Sequence, residues 1–287
     1  MTSSLPTGPL DCVNHTQPNQ TDEGAEGLDP SESFTPPRHG GAVRAVLVVP
    51  IILIWAVLGA TLIAILALVL RGWARRNLQT LVRVWGRFPL FLAGVRVDLH
   101  GEEHLSASGP KIHLFNHVST LDLFLCAAYV PPAPCVAYKK EFRRIPGIGW
   151  ALVAMGMIEI DRDDPERAIE SLSHAGERLE TERLTLMMAP EGTRSRFGGL
   201  QEFKKGPFHV AIATGAPVYP TIWRGIEALT PMGSWLIRSG TVRVDCLPPI
   251  DTSEWKTETI DEHVNSTRAV FLRYLPPEET SGTDSPS

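Results

Sequence analysis

The stretch KIHLFNHVSTLDLFL sets a histidine and a carboxylate between two apolar runs. Inside one regular helix, His117 and Asp122 would point about 140° apart and could not cooperate. If a strand ends near Phe115 and a helix begins with Ser119 or Thr120 as its N-cap, the turn between them can fold the imidazole back onto the carboxylate. An aspartate that accepts a hydrogen bond from one ring nitrogen leaves the other free to act as a base. The pair therefore predicts general-base chemistry, with a structural histidine beside a helix cap as the alternative.

The protein supplies no nucleophile to accompany this histidine. The sequence contains no GxSxG motif, and no serine or cysteine is spaced to pair with His117. A covalent acyl-enzyme is therefore not indicated. A base without an enzyme nucleophile implies a substrate that brings its own hydroxyl.

A second polar segment, APEGTRSRFG, directly follows the apolar run LTLMM. Ligands collect in the loops at the carboxyl ends of strands in open α/β sheets. Gly192 would let the backbone approach a ligand closely, and Thr193 and Ser195 offer hydroxyls. Arg194 and Arg196 offer forked guanidinium donors that suit a phosphate. The segment predicts an anion-binding loop, with a solvated polar turn as the alternative.

Further cations lie nearby along the chain. Lys204 and Lys205 form a basic cluster in a chain whose net charge is −5, a contrast that favours anion binding. Arg162 follows a predicted strand and could reach the same anion. Lys140, in the basic run KKEFRR, and Trp150, in the apolar stretch IPGIGWALVAMG, are the predicted acyl or membrane contacts. That apolar stretch could also be simply core.

The elements that must position these side chains alternate between strand and helix, which predicts an α/β fold with a mixed, largely parallel sheet flanked by helices. The clearest helix has Asp164 as its N-cap and Pro165 at its first position. Its predicted buried stripe is Ile169, Leu172, Gly176 and Leu179. The predicted strands are VRVDLHG, KIHLF, CVAY, MIEI, LTLMMA, VYPTIW and TVRVDCL.

An uncharged run precedes this region, from Ala45 to Leu70. A helix of that length rises about 39 Å, more than the hydrocarbon core of a bilayer. Residues 44–71 are therefore predicted to form a transmembrane or membrane-embedded helix, with Pro50 in its first turns. A buried core helix would rarely be apolar on every side for so long. A shallow helical hairpin that dips into one leaflet stays open as an alternative to a full span.

Arginines follow the uncharged run. Five lie between residues 71 and 87, whereas only Arg38 and Arg44 lie close on the preceding side. This bias places the carboxyl side in the cytoplasm. Residues 72–93 mix these arginines with aromatic and apolar residues, as in an amphipathic helix of the headgroup region, and the alternative is a core helix with a basic face. The catalytic domain, residues 94–276, would then begin close to the bilayer.

Composition excludes several classes of protein. A net charge of −5 argues against nucleic-acid binding. The four cysteines form no CxxC pair, so neither a zinc site nor a disulfide framework is indicated. Residues 1–43, which are rich in proline and acidic residues, and the tail 277–287 are predicted to be disordered.

The order of these motifs resembles the glycerolipid acyltransferase family, best known from 1-acylglycerol-3-phosphate acyltransferases. The resemblance covers roughly residues 95–250 and implies a glycerol-3-phosphate acyltransferase-like fold. One position departs from the family pattern, since Glu159 stands where the GxxFxDR block has an aromatic residue. The matching positions are Asn116, His117 and Asp122 for NHxxxxD; Glu191, Gly192, Thr193, Arg194 and Ser195 for EGTRS; Gly156, Asp161 and Arg162 for GxxFxDR; and APVYP for the proline-containing block.

The resemblance also implies a reaction. His117, oriented by Asp122, would remove a proton from the free hydroxyl of lysophosphatidic acid, which would attack the thioester of acyl-CoA or acyl carrier protein. Arg162 and the loop residues Gly192, Thr193, Arg194 and Ser195 would hold the acceptor's phosphate, Glu191 would help to order that loop, and no metal or cofactor would be needed. Another lysophospholipid or an amino-acid lipid as acceptor, a lipid hydrolase, and a non-catalytic membrane scaffold stay open as alternatives.

Overall fold

A computed structural model of the chain describes residues 42–194, 199–230 and 237–275. All seven predicted strands are present within these ranges. They are β1 (Val95–His100), β2 (Lys111–Phe115), β3 (Pro134–Lys139), β4 (Ile158–Ile160), β5 (Thr185–Met188), β6 (Val218–Arg224) and β7 (Gly240–Cys246). Together they form one sheet in the order β1-β7-β6-β2-β5-β3-β4.

Neighbouring strands of this sheet run parallel, except that β6 and β7 pair antiparallel. The prediction of a mixed, largely parallel sheet is therefore confirmed. Because β6, β2, β5, β3 and β4 share one direction, the loops that follow them leave the same edge of the sheet. The loops after β2, β4 and β5 carry His117, Arg162 and Arg194, so the topology brings these three residues to one edge.

Helices cover both faces of the sheet. One core cluster joins one face to the first two helices and to the short helix after β2, and the second cluster joins the other face to the later helices. The helices are α1 (Ala42–Val69), α2 (Arg71–Ala93), α3 (Glu102–Ser106), α4 (Asp122–Ala128), α5 (Ile148–Ala154), α6 (Pro165–Thr181), α7 (Gly206–Thr214), α8 (Ile226–Leu229) and α9 (Ile260–Tyr274). Short 3₁₀ helices span Lys140–Arg144 and Thr257–Thr259.

Helix α6 begins as predicted, and Ile169 is the one exposed residue of its predicted stripe, since Gly176 and Leu179 are buried and Leu172 is half-buried. The Asp164 side chain accepts a hydrogen bond from the backbone N–H of Arg167, and Pro165 is the first helical residue. Ile169 was predicted to be buried, yet 68% of it is exposed. It lies about 60° around the helix from Leu172 and faces away from the sheet. The residues that pack onto the sheet are Ala168, Leu172, Ala175 and Leu179.

The uncharged segment forms the first arm of an antiparallel helical hairpin. Helix α1 is followed by Leu70 alone and then by α2, which folds back along α1. Trp55 donates its Nε1 hydrogen to the Trp85 carbonyl at 3.0 Å, and Trp85 donates its own to the Ala56 carbonyl at 3.2 Å. Pro50 lies in the third turn of α1 rather than in the first turns, because the helix begins at Ala42.

Both arms of the hairpin also contact the α/β domain. Near the middle of α1, the backbone of Val57 and the hydroxyl of Thr61 lie so close to Gly147 that a side chain at Gly147 would overlap them. The side chain of Arg83 on α2 donates two hydrogen bonds, of 3.2 and 3.0 Å, to the carbonyl of Val130 at the end of the α4 region. The hairpin is therefore docked along the domain.

Helix α2 has features of both structures predicted for residues 72–93. Trp85 and Leu90 are buried against α1 and α4, as in a core helix, whereas Trp73 and Phe91 are 43% and 79% exposed. The predicted tails lie outside the described residues, apart from the start of α1.

Candidate active site

His117 and Asp122 meet at the carboxyl end of β2. Strand β2 ends at Phe115, the chain turns, and α4 starts at Asp122, so the aspartate is the first helical residue and the helix begins later than the predicted cap at Ser119 or Thr120. The Nδ1 atom of His117 lies 2.6 Å from Oδ2 of Asp122. The imidazole is 31% exposed, while the carboxylate is 1% exposed. The turn therefore presents the outer ring edge to a ligand and buries its partner.

The backbone of the same turn fixes the tautomer of His117. Oδ2 of Asp122 also accepts hydrogen bonds from the backbone N–H groups of Val118 and Ser119, both at 2.8 Å. Burial raises the pKa of Asp122, and the hydrogen bonds from His117, Ser119 and Val118 act to lower it. Because Oδ2 is an acceptor in all three contacts, Nδ1 carries the hydrogen and Nε2 keeps its lone pair. His117 can therefore take a proton at Nε2.

A second histidine, His113, lies within β2 and is not suited to accept a proton. Its Nδ1 lies 3.2 Å from the Thr221 hydroxyl, and burial lowers its pKa to about 3. It borders a small cavity of about 20 Å³ next to α4, which is also lined by Phe115, Cys126 and Trp223. His113 is a neutral core residue, and His117 is the solvent-facing one of the two.

Asn116 connects the turn to the neighbouring strand. Its side-chain amide donates to the Trp223 carbonyl and accepts from the Trp223 N–H, both at 2.8 Å. The side chain of Asn116 thus reproduces the paired hydrogen bonds of a β-ladder at the point where β2 ends. Ser119 adds a hydrogen bond to the hydroxyl of Thr230, after α8. The turn is held from both ends.

Glu191, after β5, bridges the histidine turn and the next loop. Its Oε1 accepts from the backbone N–H of His117 at 2.8 Å, and its Oε2 accepts from that of Gln201 at 2.9 Å. The residue is 1% exposed, and burial raises its pKa to about 7. Both oxygens are occupied by the protein, so Glu191 orders the loops and does not face a phosphate itself.

The loop after Glu191 presents its next residues outward. Gly192 adopts φ +71°, a left-handed conformation that glycine accommodates without strain. Thr193 and Arg194 are exposed, and the Thr193 hydroxyl donates to the Arg194 carbonyl at 3.2 Å. Ser195 and Arg196, which were predicted to take part, lie outside the described residues.

Arg162 is exposed on the loop after β4, between two aspartates that hold Lys140. The Lys140 ammonium lies 2.6 Å from Oδ1 of Asp161 and 3.0 Å from Oδ2 of Asp163. Lys140 therefore ties the 3₁₀ helix after β3 to the Arg162 loop, and its predicted acyl or membrane contact stays a prediction. Two carboxylates, 21 and 23 positions further along the chain, fix its position.

Glu159 and Trp150 lie close to this region. Oε2 of Glu159 accepts a hydrogen bond from the Tyr138 hydroxyl at 3.3 Å and lies 3.4 Å from Nη1 of Arg143. The glutamate at the family's aromatic position is thus paired within the protein. Trp150 is 57% exposed on α5, the helix that packs against α1. It stays a predicted membrane or acyl contact.

Several contacts that shape this site gave no signal in the sequence. Gln201, Trp223 and Lys140 each act on a partner in a distant segment. The partner of Trp223 is 107 positions away, for example. Local spacing cannot reveal such pairs, because they depend on which strands become neighbours. Among the described residues, no three His, Cys, Asp or Glu side chains converge as metal ligands would.

Comparison with known proteins gives consistent matches. The sequence profile of the acyltransferase family matches residues 96–224. A 1-acyl-sn-glycerol-3-phosphate acyltransferase from Limnanthes douglasii is 34% identical over 191 residues, 67% of each chain. The enzyme of the same name from Salmonella typhimurium is 30% identical over 197 residues, 68% of this chain and 79% of the relative. The crystal structure of the 1-acyl-sn-glycerophosphate acyltransferase from Thermotoga maritima superimposes with a TM-score of 0.69 at 25% identity, covering 80% of this chain and 92% of that one.

Proposed function

The chain belongs to the acyltransferase family, and from this membership we propose that it transfers a fatty acyl group from acyl-CoA, or from acyl carrier protein, to the free hydroxyl of 1-acylglycerol-3-phosphate. The product is phosphatidic acid. The observation that carries the proposal is the His117–Asp122 pair, 2.6 Å apart, at the sheet edge that also presents Arg162 and Arg194. A base and a group of cations on one edge suit an acceptor with a free hydroxyl on the middle carbon of its glycerol and a phosphate on the adjacent carbon.

His117 is the base in the proposed reaction. Its Nε2 takes the proton of the acceptor hydroxyl while the hydroxyl oxygen attacks the carbonyl carbon of the thioester. Asp122 stabilises the imidazolium that forms, because its carboxylate already accepts the Nδ1 hydrogen. When the tetrahedral intermediate collapses, the C–S bond breaks and the proton on Nε2 passes to the leaving thiolate. His117 is then neutral again, and no covalent enzyme intermediate forms.

Arg162, Thr193 and Arg194 hold the acceptor's phosphate in this proposal, with Ser195 assigned to the same role from the motif. The two arginines are exposed and come from separate loops, so they approach a phosphate from two sides. Glu191 supports them indirectly, because it fixes the start of the Arg194 loop to the His117 backbone. Positioning the two substrates in this way can supply several kcal/mol of barrier lowering, with general-base catalysis adding about a hundredfold or more.

The proposal places the α1–α2 hairpin on the membrane, in one leaflet. Among the described residues, one helix, Ala45–Val69, is long and apolar enough to cross a bilayer. The contact of Gly147 with Val57 and Thr61 argues against a span, because it would bring the polar domain to the middle of the hydrocarbon core. The arginines of α2 support a cytoplasmic position for the domain, next to soluble acyl donors.

The proposed function is tested with the full chain in phospholipid nanodiscs and labelled acyl-CoA. The acceptors are 1-acylglycerol-3-phosphate, the same lipid without its phosphate, and water alone. We expect labelled phosphatidic acid from the first, little product from the second, and little free fatty acid without an acceptor. Equal use of the acceptor without a phosphate would contradict the phosphate site, and rapid release of fatty acid to water would indicate a hydrolase.

The His117→Ala variant is tested in the same assay. We expect transfer to fall by roughly a thousandfold or more, because the general base is removed, while the protein stays with the membrane fraction. Substantial turnover by this variant would refute the assignment of the base.

A further inference from the structure

The cations around the candidate site divide into two groups. Several are paired with acids, such as Lys139 with Glu141 at 3.3 Å and Lys205 with Asp261 at 2.7 Å. Within the part of the chain that the structure describes, Arg162, Arg194 and Lys204 have no carboxylate at salt-bridge distance. These three exposed cations therefore keep their charge available for a ligand.

Lys204 lies against the loop that carries Arg194. Its backbone N–H donates to the Pro190 carbonyl at 2.7 Å, which joins the two segments. Its side chain runs past Gly192, since a Cβ atom built at Gly192 would lie 3.4 Å from Cγ of Lys204. The glycine thus leaves room for the lysine stem to cross the loop. Lys205, the next residue, faces α9 instead, where it pairs with Asp261.

The same segment is connected to the base. Glu191 accepts from the backbone N–H of His117 and from that of Gln201, three residues before Lys204. The loop under Lys204 is therefore fixed relative to His117 by buried hydrogen bonds. The stem of Lys204 thus lies against Gly192, two residues before Arg194 in the same loop.

Charge suggests why a third cation would be useful. A phosphate monoester carries a charge of about −1.5 to −2 at pH 7 because its second pKa is about 6, whereas a phosphodiester carries one negative charge. Two arginines can bind either a phosphate monoester or a phosphodiester. We propose that Lys204 binds the acceptor's phosphate together with Arg162 and Arg194, and that it is the residue that favours a phosphate monoester over a phosphodiester headgroup. This inference rests on the proposed function, which it extends to the choice between acceptors.

The test compares Lys204→Gln with Lys205→Gln, a matched control at the neighbouring position. The full chain in nanodiscs is assayed with 1-oleoylglycerol-3-phosphate, a monoester, and with 1-oleoylglycerol-3-phosphoglycerol, a diester. For Lys204→Gln we expect kcat/KM on the monoester to fall roughly tenfold, while its value on the diester changes little, because one charge-assisted hydrogen bond is lost only there. Lys205→Gln should keep the wild-type preference, and Lys204→Arg should restore most of it.

The pH profile gives an independent readout. With wild type, the preference for the monoester should rise as pH increases from 5 to about 7, since the phosphate gains its second charge in that range. Lys204→Gln should lose most of this rise. Equal losses on both acceptors, or the same loss in Lys205→Gln, would overturn the inference, as would an unchanged pH profile. A wild-type protein that acylates neither acceptor would instead overturn the proposed function.

Discussion

At the scale of the residue, two buried carboxylates set the position of one imidazole. Asp122 accepts from the His117 ring and from two backbone N–H groups, so the same carboxylate oxygen shapes the turn and orients the imidazole. Glu191 accepts from the His117 backbone, which fixes the main chain from the other side. His117 is thus held at both its ring and its backbone, while Nε2 stays accessible. Such a residue needs little rearrangement before it can take a proton.

Glu191 gives a prediction about stability and pH. Its ordinary pKa is 4.5, and burial raises it to about 7 in the folded protein. Between these values the folded state binds more protons than the unfolded state, so the free energy of unfolding should fall as pH rises. This residue alone would contribute a decrease of roughly 3 kcal/mol over that range. In Glu191→Gln this part of the pH dependence should be absent.

Chemical denaturation in detergent micelles at pH 4 to 8 measures the effect, with Glu202→Gln as the control because Glu202 is exposed. Parallel pH profiles for wild type and Glu191→Gln would contradict the prediction. We also expect Glu191→Gln to have a reduced kcat, because an amide cannot accept at both of its ends.

Only part of this arrangement around His117 could be predicted from the sequence. The spacing of His117 and Asp122 predicts their contact, since both lie within one short turn whose flanks have clear strand and helix patterns. Glu191 is 74 positions from its partner His117, and nothing in either segment encodes the pairing. The same limitation applies to the contacts of Lys140. Its two aspartate partners become visible only when β3 and β4 lie side by side.

At the scale of the element, apolar patterns locate the strands well and helix faces less well. Buried strands of a parallel sheet are apolar at nearly every position, so their approximate positions in the sequence can be found without knowledge of the fold. The buried face of a helix depends on how the helix is rotated about its axis. An exposed isoleucine such as Ile169 can therefore shift the predicted buried stripe by one position. Contacts with a distant helix are harder still to predict. No sequence pattern around Gly147, for example, indicates that α1 lies against it.

Gly147 gives a prediction about the docking of α1. In Gly147→Ala the new methyl group would overlap Val57 and Thr61, and the residue would keep φ +76°, which is unfavourable for alanine. We expect the free energy of unfolding to fall by about 2 to 4 kcal/mol, with α1 becoming more accessible to protease. Thermal unfolding and limited proteolysis in detergent would measure both effects.

Gly72→Ala is the matched control for this variant. Gly72 lies in α2 and has open space where its Cβ atom would be, so alanine there should be neutral or stabilising by about 1 kcal/mol. Equal behaviour of the two variants would contradict the docking role of Gly147.

At the scale of the whole molecule, the hairpin bears on the two membrane arrangements that the sequence left open. Length and hydropathy describe α1 alone, and they suit a span as well as a helix in one leaflet. The contact on which the proposal of one leaflet rests joins residues 57 and 147, which are far apart in the sequence. With α1 packed against α2 and α5, only its outer side is available to lipid. A hairpin lying in one leaflet satisfies this constraint.

The leaflet arrangement predicts where the amino terminus lies. If the hairpin stays in one leaflet, an epitope tag at the amino terminus and the α/β domain should be on the same side of the membrane. In sealed vesicles, external protease should therefore cut both or protect both. Cleavage of one with protection of the other would indicate a full span by α1. Vesicles opened with detergent serve as the control for protease activity.

The side chain of Asn116 has a consequence for how the enzyme tolerates change. Since its amide substitutes for a peptide group beside Trp223, β2 can leave the sheet at Phe115 without an unsatisfied donor or acceptor. The His117 turn therefore starts from the centre of the sheet, and its first residue is fixed by β6 and not by a loop. Insertions and deletions in loops that do not contact this turn should then leave the position of the imidazole unchanged.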